Sequence, residues 1–438
     1  MRKIIPLLQC LVPLLTTTTL RQLHHVVFAM LCIPNRATMR GLSRWSERGG
    51  SYRTLQRFYQ TPLVWAKLHW TLVKTHLLGS SGPYLLAGDE VVVSKAGKQT
   101  HGVSRFYSSL ANRPIPSVSF LALSLIDVER RRSYPLQIEQ LLPKATDPDQ
   151  SEPAPKRSPG RPKGRKNYEK PAPELSRLLQ TLQTMLASVK TLVGSDLAIR
   201  HVVLDGKFGN YPSTWTVCEA GLHIISKMRS DAALTYPYDG PKPKRGPTPR
   251  YGQAVNYAQL PDAYCVSTET TVTHCINTYQ LQLYHRDYPD LLNVVVVVKT
   301  RLSDNQRRHV VLFSTDLDLS ATQIVDYYAL RFQIEFNFRD AKQHWGLEDF
   351  MNVTSQAVTN AVNLAFFMVN LAAILRQQSV TDGLSVRDLK AAFRAQRYLS
   401  ETIKLLPHPP DATLVSRIRR RLTRFGAIRP PDEEMLAA

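Results

Sequence analysis

The pattern of apolar and polar positions divides the chain into a helical start and a strand-rich continuation. Residues 1–79 carry short amphipathic runs such as "TLRQLHHVVFAML", with apolar side chains at helical spacing. From Gly82 onward the runs become β-branched or alternating, as in "PYLLAGDEVVVS", "SVSFLALSLIDVE" and "RSYPLQIEQLL". The pattern therefore predicts a group of small helices followed by three strands.

The second half of the chain alternates helices and strands. "PELSRLLQTLQTMLASVKTLVG" has a helical period and predicts a helix that starts at Pro173-Glu174. A buried strand ending at Asp205, a short helix in "PSTWTVCEAGL" and a strand in "HIISKMRS" follow. After a β-rich block at 236–316, a long helix is predicted to begin behind Ser320 and to run through 328–342. This order of elements is typical of an α/β RNase H-like fold with a β-rich insertion before its last helix.

The charge balance limits the function. The chain has 56 Lys and Arg against 35 Asp and Glu, a formal net charge of +21. Such a field attracts polyanions, of which nucleic acid is the commonest. A basic housekeeping or ribosome-associated protein is the alternative interpretation.

Neither of the two long apolar stretches predicts a membrane segment. "MRKIIPLLQCLVPLL" is interrupted by Pro6 and Pro13, and we expect no export. "AVNLAFFMVNLAAIL" is shorter than the roughly 20 residues that a span needs and contains Asn363 and Asn370, which predicts a buried helix of a soluble protein. Five scattered cysteines without a C-x-x-C pair argue against disulfides and structural zinc, and favour a cytoplasmic protein.

Residues 143–173 contain eight prolines and predict an exposed linker. Its centre, "KRSPGRPKGRK", resembles an AT-hook that lies in a DNA minor groove, while a solvated basic linker is an equal alternative. The candidate DNA contacts there are Arg161, Lys163, Arg165 and Lys166. We thus predict a helical DNA-binding region (1–80), the first part of the RNase H-like core (81–235), the β-rich insertion (236–316), a helix that completes the core (317–350) and a C-terminal helical region (351–438).

The most specific stretch is "YALRFQIEFNFRDAK", residues 328–342. At about 100° per residue, Tyr328, Arg331, Glu335 and Lys342 fall in one stripe about 60° wide, with Arg339 in the neighbouring sector. A solvated helix face with an Arg331–Glu335 ion pair is the simpler explanation. The apolar side chains of the same helix form a second face that we expect to be buried, namely Leu330, Ile334, Phe338, Ala341 and Trp345.

The spacing Tyr-x2-Arg-x3-Glu-x6-Lys resembles the YREK signature of DDE transposases in the insertion-sequence-four superfamily. The resemblance covers about residues 84–350 and implies that Glu335 forms a catalytic, metal-binding triad with two earlier aspartates. Asp89 in "LLAGDEVVV" and Asp205 in "VVLDGKF" match by context. Glu90 is a possible helper, and Asp127 is the fallback for Asp89. The resemblance also implies that Tyr328, Arg331 and Lys342 bind DNA phosphate, with Arg339 as an additional candidate.

Three carboxylates suit two Mg²⁺ ions, for which Mn²⁺ can substitute, because these hard cations prefer oxygen ligands. The resemblance implies cut-and-paste transposition: binding of terminal inverted repeats, metal-dependent strand cleavage and strand transfer. The expected partner is double-stranded DNA, bound by a homodimer in the nucleoid-associated cytoplasm, with no membrane. A metal-dependent nuclease without strand transfer and a catalytically silent DNA-binding protein are the alternatives. A flipped base is a further expectation, with the choice among Tyr251, Tyr257 and Tyr279 left open.

Overall fold

The computed structural model describes residues 4–47, 49–79, 82–108, 112–142, 172–377, 384–408 and 410–424. The linker candidates Arg161, Lys163, Arg165 and Lys166 lie outside the described residues, so their DNA contact stays a prediction.

Helices surround the sheet in two groups. Five precede it: α1 Ile4–Leu8, α2 Thr17–Cys32, α3 Met39–Trp45, α4 Tyr52–Gln60 and α5 Trp65–His76. The others are α6 Arg177–Val193, α7 Tyr211–Glu219, α8 Ala321–Leu330, α9 Gln333–His344, α10 Ser355–Gln377, α11 Val386–Lys404 and α12 Ala412–Arg424. Several begin behind a Ser, Thr or Asn whose side-chain oxygen accepts a backbone N–H one turn later, which is why they start where they do.

The strands form one mixed sheet. They are β1 Tyr84–Ser94, β2 Ser104–Ser108, β3 Arg113–Asp127, β4 Arg132–Leu141, β5 His201–Leu204, β6 His223–Met228, β7 Leu234–Pro237, β8 Tyr251–Ala254, β9 Cys265–Thr270, β10 His274–His285, β11 Leu292–Arg301 and β12 Arg307–Ser314. The order of paired strands is β2-β3-β1-β5-β6-β12-β11-β10-β7-β8, with β4 also on β3 and β9 on β10. The β-rich block predicted at 236–316 thus extends the same sheet through β12 on β6. The predicted domain boundaries stay predictions.

The pairing of strands changes from antiparallel to parallel at β1. On one side β1 pairs antiparallel with β3, and on the other it pairs parallel with β5. β5 in turn pairs parallel with β6. The predicted three strands before α6 are four, because the short strand β2 adds to the edge of β3.

The predicted long helix is interrupted. The capping box of Ser320 and Gln323 starts α8 as expected. Around Arg331 and Phe332, however, the backbone N–H groups bond three residues back, as in Phe332 N to Ala329 O (3.2 Å), and α9 begins only at Gln333. Such bonds turn the backbone more tightly than an α-helix does. The predicted apolar face is nonetheless buried: Leu330, Ile334, Phe338, Ala341 and Trp345 are all core residues.

The apolar run predicted as a buried helix is the centre of α10. In the described part of the chain, α10 alone is long and apolar enough to cross a membrane, but 89% of its most apolar window is buried inside the protein. It packs against α4, α5, α9 and β4. Its asparagines bond to the neighbouring elements, as Asn363 Nδ2 does to the Ile138 carbonyl (3.4 Å). The helix therefore ties the N-terminal helices to the sheet.

Asn360 on α10 makes the densest polar contact in this interface. Its Nδ2 donates to the carbonyls of Phe58 (3.3 Å), Tyr59 (2.8 Å) and Thr61 (2.8 Å). Its Oδ1 accepts from Trp65 Nε1 at 2.8 Å. Because Asn360 is fully buried, no water can take its place as the hydrogen-bond partner of these groups.

We expect Asn360→Leu to lower the free energy of unfolding by about 3 kcal/mol, since it leaves buried carbonyls and an indole N–H unpaired. Chemical denaturation measures the loss. Thr359→Val, the preceding residue on the same helix and less buried, is the matched control and should cost less than about 1 kcal/mol. Equal losses in the two variants would contradict the role given to Asn360.

A buried histidine predicts a pH dependence of stability. His69 is fully buried, and Asn370 Nδ2 lies 3.3 Å from its Nδ1. Burial lowers the pKa of His69 to about 3. Below pH 6.5 the unfolded chain binds a proton that the folded chain does not, so stability is complete above that pH and is lost as the pH falls.

The contribution lost between pH 6.5 and 5 is about 2 kcal/mol. His69→Gln should reduce the pH dependence of denaturant unfolding by that amount, measured as the difference between wild type and variant at each pH. Identical pH profiles for the two proteins would refute the assignment.

Candidate functional site

Two of the predicted carboxylates lie side by side on neighbouring strands. In the parallel pair of β1 and β5, Gly88 lies opposite Leu204. Asp89 and Asp205 are the next residues along each strand. Because parallel strands run in the same direction, the two aspartates are neighbours across the sheet, Asp89 within β1 and Asp205 directly after the end of β5.

The backbone of Asp205 is held by its surroundings. Its carbonyl accepts from Phe208 N (2.8 Å), within a short 3-10 helix, and from Ser226 Oγ (3.0 Å) on β6. The 3-10 helix ends at Gly209, where a Cβ would collide with the Lys227 carbonyl. The turn thus fixes Asp205 at the strand end.

Arg331 joins the strand to the helix. Its Nη1 lies 3.0 Å from Asp89 Oδ2, and its Nη2 lies 3.0 Å from Glu335 Oε1. The simpler expectation, an Arg331–Glu335 ion pair one helical turn apart, is therefore confirmed, but the same guanidinium also reaches a carboxylate 242 residues earlier. Only 14% of the Arg331 side chain is exposed, so water screens the pairs weakly.

The three carboxylates affect one another electrostatically. Burial raises the pKa of Asp89 to about 6, against the lowering by its hydrogen bond from Glu90 N and by Arg331, and the charges of Asp205 and Glu335 raise it further. Burial works against the charge of Arg331, but Asp89 and Asp205 hold its pKa above the usual value. Asp89, Asp205 and Glu335 therefore lie in one electrostatic neighbourhood around Arg331.

Tyr328 and Lys342 flank this group. Burial raises the pKa of Tyr328, and the charge of Asp205 adds to the increase. Lys342 Nζ donates to the Val92 carbonyl on β1 (3.0 Å) and lies 3.6 Å from Glu348 Oε1. Lys342 thus holds α9 against the strand that carries Asp89.

Arg339 lies apart from these residues. Its guanidinium pairs with Asp340 (3.0 Å) and lies 4.8 Å from the centre of the Phe336 ring. It lines a separate cavity of about 180 Å³, with residues of β4 and α10. The structure places Arg339 in other contacts because its side chain turns toward Asp340, its own neighbour. Its DNA contact stays a prediction.

The alternative acids occupy other positions. Asp127 pairs in register with Tyr84, five residues before Asp89 at the start of β1, and its Oδ1 accepts from Arg130 N. Glu90 lies 2.7 Å from Lys207 Nζ. Sequence reasoning missed Lys207, although its position two residues after Asp205 is a signal for a basic group at the strand end.

The three tyrosines proposed to stack on a flipped base differ in how accessible their rings are. Tyr279 is buried. The ring of Tyr257 is stacked on His309, 4.8 Å between centroids, and its hydroxyl donates to the Ala232 carbonyl. Tyr251 is 43% exposed. Of the three, Tyr251 alone offers an accessible ring.

The three acidic side chains of the site are of a chemical type that binds hard divalent cations. Asp89, Asp205 and Glu335 supply carboxylate oxygens, which Mg²⁺ prefers. Within the described residues, however, no three His, Cys, Asp or Glu side chains are arranged to hold a metal ion. The fork of Arg331 lies on one oxygen of Asp89 and one of Glu335. A cation and Arg331 would compete for the same atoms.

Comparison with known families identifies the superfamily of the chain. Residues 10–285 match the family model described as DDE superfamily endonuclease, which is more than half of the chain. The match includes Asp89 and Asp205 and ends before Glu335. The family implies an RNase H-like α/β fold, with which the mixed sheet and its flanking helices are consistent, and it generally uses divalent metal ions. None of the curated proteins compared with the chain matches it.

The position of Arg331 between two carboxylates makes a prediction. Arg331→Ala should lower the free energy of unfolding in EDTA by about 2 kcal/mol, because Asp89 and Glu335 lose a shared cation. Addition of Mg²⁺ should restore part of this loss, so that the Mg²⁺-induced rise in melting temperature is larger in the variant than in the wild type. Thermal unfolding with and without Mg²⁺ measures both.

Arg339→Ala is the matched control, since it removes a nearby arginine that pairs with a different carboxylate, Asp340. It should leave the Mg²⁺-induced rise unchanged. If Arg331→Ala responds to Mg²⁺ no more than the control does, the cation does not compete with Arg331.

Proposed function

The chain belongs to the DDE superfamily endonucleases, and on this premise we propose that it is the DNA transposase of an insertion sequence. The family implies a nuclease or transposase that acts on DNA. To what the family implies, we add strand transfer, binding of terminal repeats and the assignment of the YREK signature. The observation that carries it is the contact of Arg331 with both Asp89 and Glu335, beside Asp205.

Each residue of this group has a proposed role. Asp89, Asp205 and Glu335 would hold two Mg²⁺ ions, or Mn²⁺ in their place. When bound, such ions activate the nucleophile and stabilise the leaving oxygen of a phosphodiester. The carboxylates come from strand β1, the end of strand β5 and helix α9, so the sheet and α9 together set their spacing. Glu90, paired with Lys207, is not needed in this assignment.

The cationic residues of the signature would position the DNA. Arg331 can hold a phosphate with its planar fork, and Lys342 can do so as a point charge. Tyr328 can donate its hydroxyl to a phosphate oxygen, because a tyrosine phenol is protonated at neutral pH. In this proposal Arg331 balances the carboxylate charge without metal and is available to DNA when cations take its place.

The remaining partners follow from the reaction. Joining two element ends to a target requires both ends in one complex, for which we propose a homodimer on double-stranded DNA. The net charge of +21 favours such a polyanionic partner. A nucleoid-associated cytoplasmic location follows from the same proposal.

The test is cleavage and joining of duplexes made from the DNA that flanks the coding region. With Mg²⁺ or Mn²⁺ we expect cleavage at an inverted repeat and joining of the freed 3′ ends to a plasmid target. Asp89→Asn, Asp205→Asn and Glu335→Gln should each lower both rates by about 100-fold or more, because each removes a charged oxygen ligand. EDTA should abolish the activity.

Asp340→Asn is the matched control for Glu335→Gln, because it changes a neighbouring acid of α9 that pairs with Arg339. Its rates should stay within about threefold of the wild type. Cleavage without joining would favour a nuclease, and DNA binding with neither step would favour a silent DNA-binding protein. Full activity in any of the three triad variants would overturn the site.

A further inference from the structure

The α4 helix has two chemically different faces. Leu55, Phe58 and Tyr59 are buried in the protein core. Arg53, Gln56 and Arg57, at positions i, i+3 and i+4, lie together on the exposed face. This exposed face carries flat, fork-shaped hydrogen-bonding groups.

The helix is held rigidly from behind. It packs against α2, α3 and α10. Ser51 caps its start by accepting from Thr54 N, and Asn360 binds the carbonyls of Phe58 and Tyr59 at its end. The exposed face is therefore presented on a fixed backbone, which lowers the entropy cost of binding.

The neighbouring helix adds charge of the same sign. Arg40 and Arg44 on α3 are exposed, and the sequences of α3 and α4 contain no Asp or Glu. Glu47, between the helices, lies 3.8 Å from Arg397. Among the described residues, no carboxylate pairs with the four exposed arginines of α3 and α4. The surface therefore favours a polyanion.

The side chains identify which polyanion fits. Arginine binds the O6 and N7 acceptors of guanine with two hydrogen bonds, and glutamine binds N6 and N7 of adenine in the same way. These edges lie in the major groove of B-form DNA, which is wide enough for a helix. The major groove of duplex RNA is too narrow for side chains to read.

We propose that α4 reads base pairs in the major groove of double-stranded DNA through Arg53, Gln56 and Arg57, while Arg40 and Arg44 on α3 bind the phosphate backbone. This inference rests on the proposed function, for which it supplies the sequence-reading element. It narrows the predicted DNA-binding region to one helix face.

Selection from a pool of duplexes with a randomised centre tests the proposal, with the full chain in EDTA so that cleavage plays no part. Wild type should enrich one motif. Arg53→Lys/Arg57→Lys keeps the charge but loses the two-pronged arginine contact, so its affinity for the enriched duplex should fall about 10- to 100-fold. Its affinity for a scrambled duplex should change less than about threefold.

Two further variants separate reading from charge. Gln56→Ala should relax the preference at one position of the motif, while the charge stays the same. Arg40→Ala/Arg44→Ala should weaken binding to both duplexes alike and reduce the salt dependence of binding. Lys67→Ala, an exposed cation on α5, should change neither. Thermal unfolding checks that each variant is folded.

A motif that persists unchanged in Arg53→Lys/Arg57→Lys would overturn the proposal, and so would failure of the wild type to enrich any motif. Equal affinity for RNA and DNA duplexes would overturn it as well. Because the selection needs no cleavage, it can succeed even if the triad variants refute the proposed reaction, and the reverse also holds.

Discussion

The account depends on one guanidinium that holds a strand and a helix together by their carboxylates. Arg331 lies 3.0 Å from both Asp89 and Glu335, and little of it is exposed to solvent. Acids as close together as Asp89, Asp205 and Glu335 repel one another unless a cation lies among them. In this structure Arg331 supplies that charge. The helix tightens at residues 331 and 332, where Arg331 reaches from the junction of α8 and α9 to Asp89 on β1.

The rest of the fold keeps this contact in place. The parallel register of β1 and β5 sets Asp89 beside Asp205. Lys342 ties α9 to β1 through the Val92 carbonyl, while the apolar face of α8 and α9 is buried. Farther out, α10 packs on α9 and β4 and carries the asparagine that holds α4. A single packed core thus connects the carboxylate site with the exposed arginines of α4.

Much of this arrangement could be predicted from local sequence. The helix cap at Ser320, the apolar face from Leu330 to Trp345 and the burial of α10 all follow from spacing alone, because each depends on neighbours within a few turns. The ends of the helices were harder to predict. The helix predicted from Pro173-Glu174 begins at Arg177, where Ser176 supplies the cap.

The long-range contacts could not be predicted in the same way. The pairing of Arg331 with Asp89 crosses 242 residues, and no local pattern encodes it. The interruption of the long helix and the separate position of Arg339 follow from this tertiary contact and from the attraction of Asp340. The short strand β2 was missed because "SRFYS" has no clear alternation and is defined by its pairing with β3.

The most direct test of the central claim is a crystal structure of the full chain with Mn²⁺, whose anomalous scattering locates the ions. The account predicts peaks bounded by the carboxylates of Asp89, Asp205 and Glu335, with Arg331 displaced from at least one of them. Peaks elsewhere, or an unchanged Arg331 bridge at saturating Mn²⁺, would contradict it.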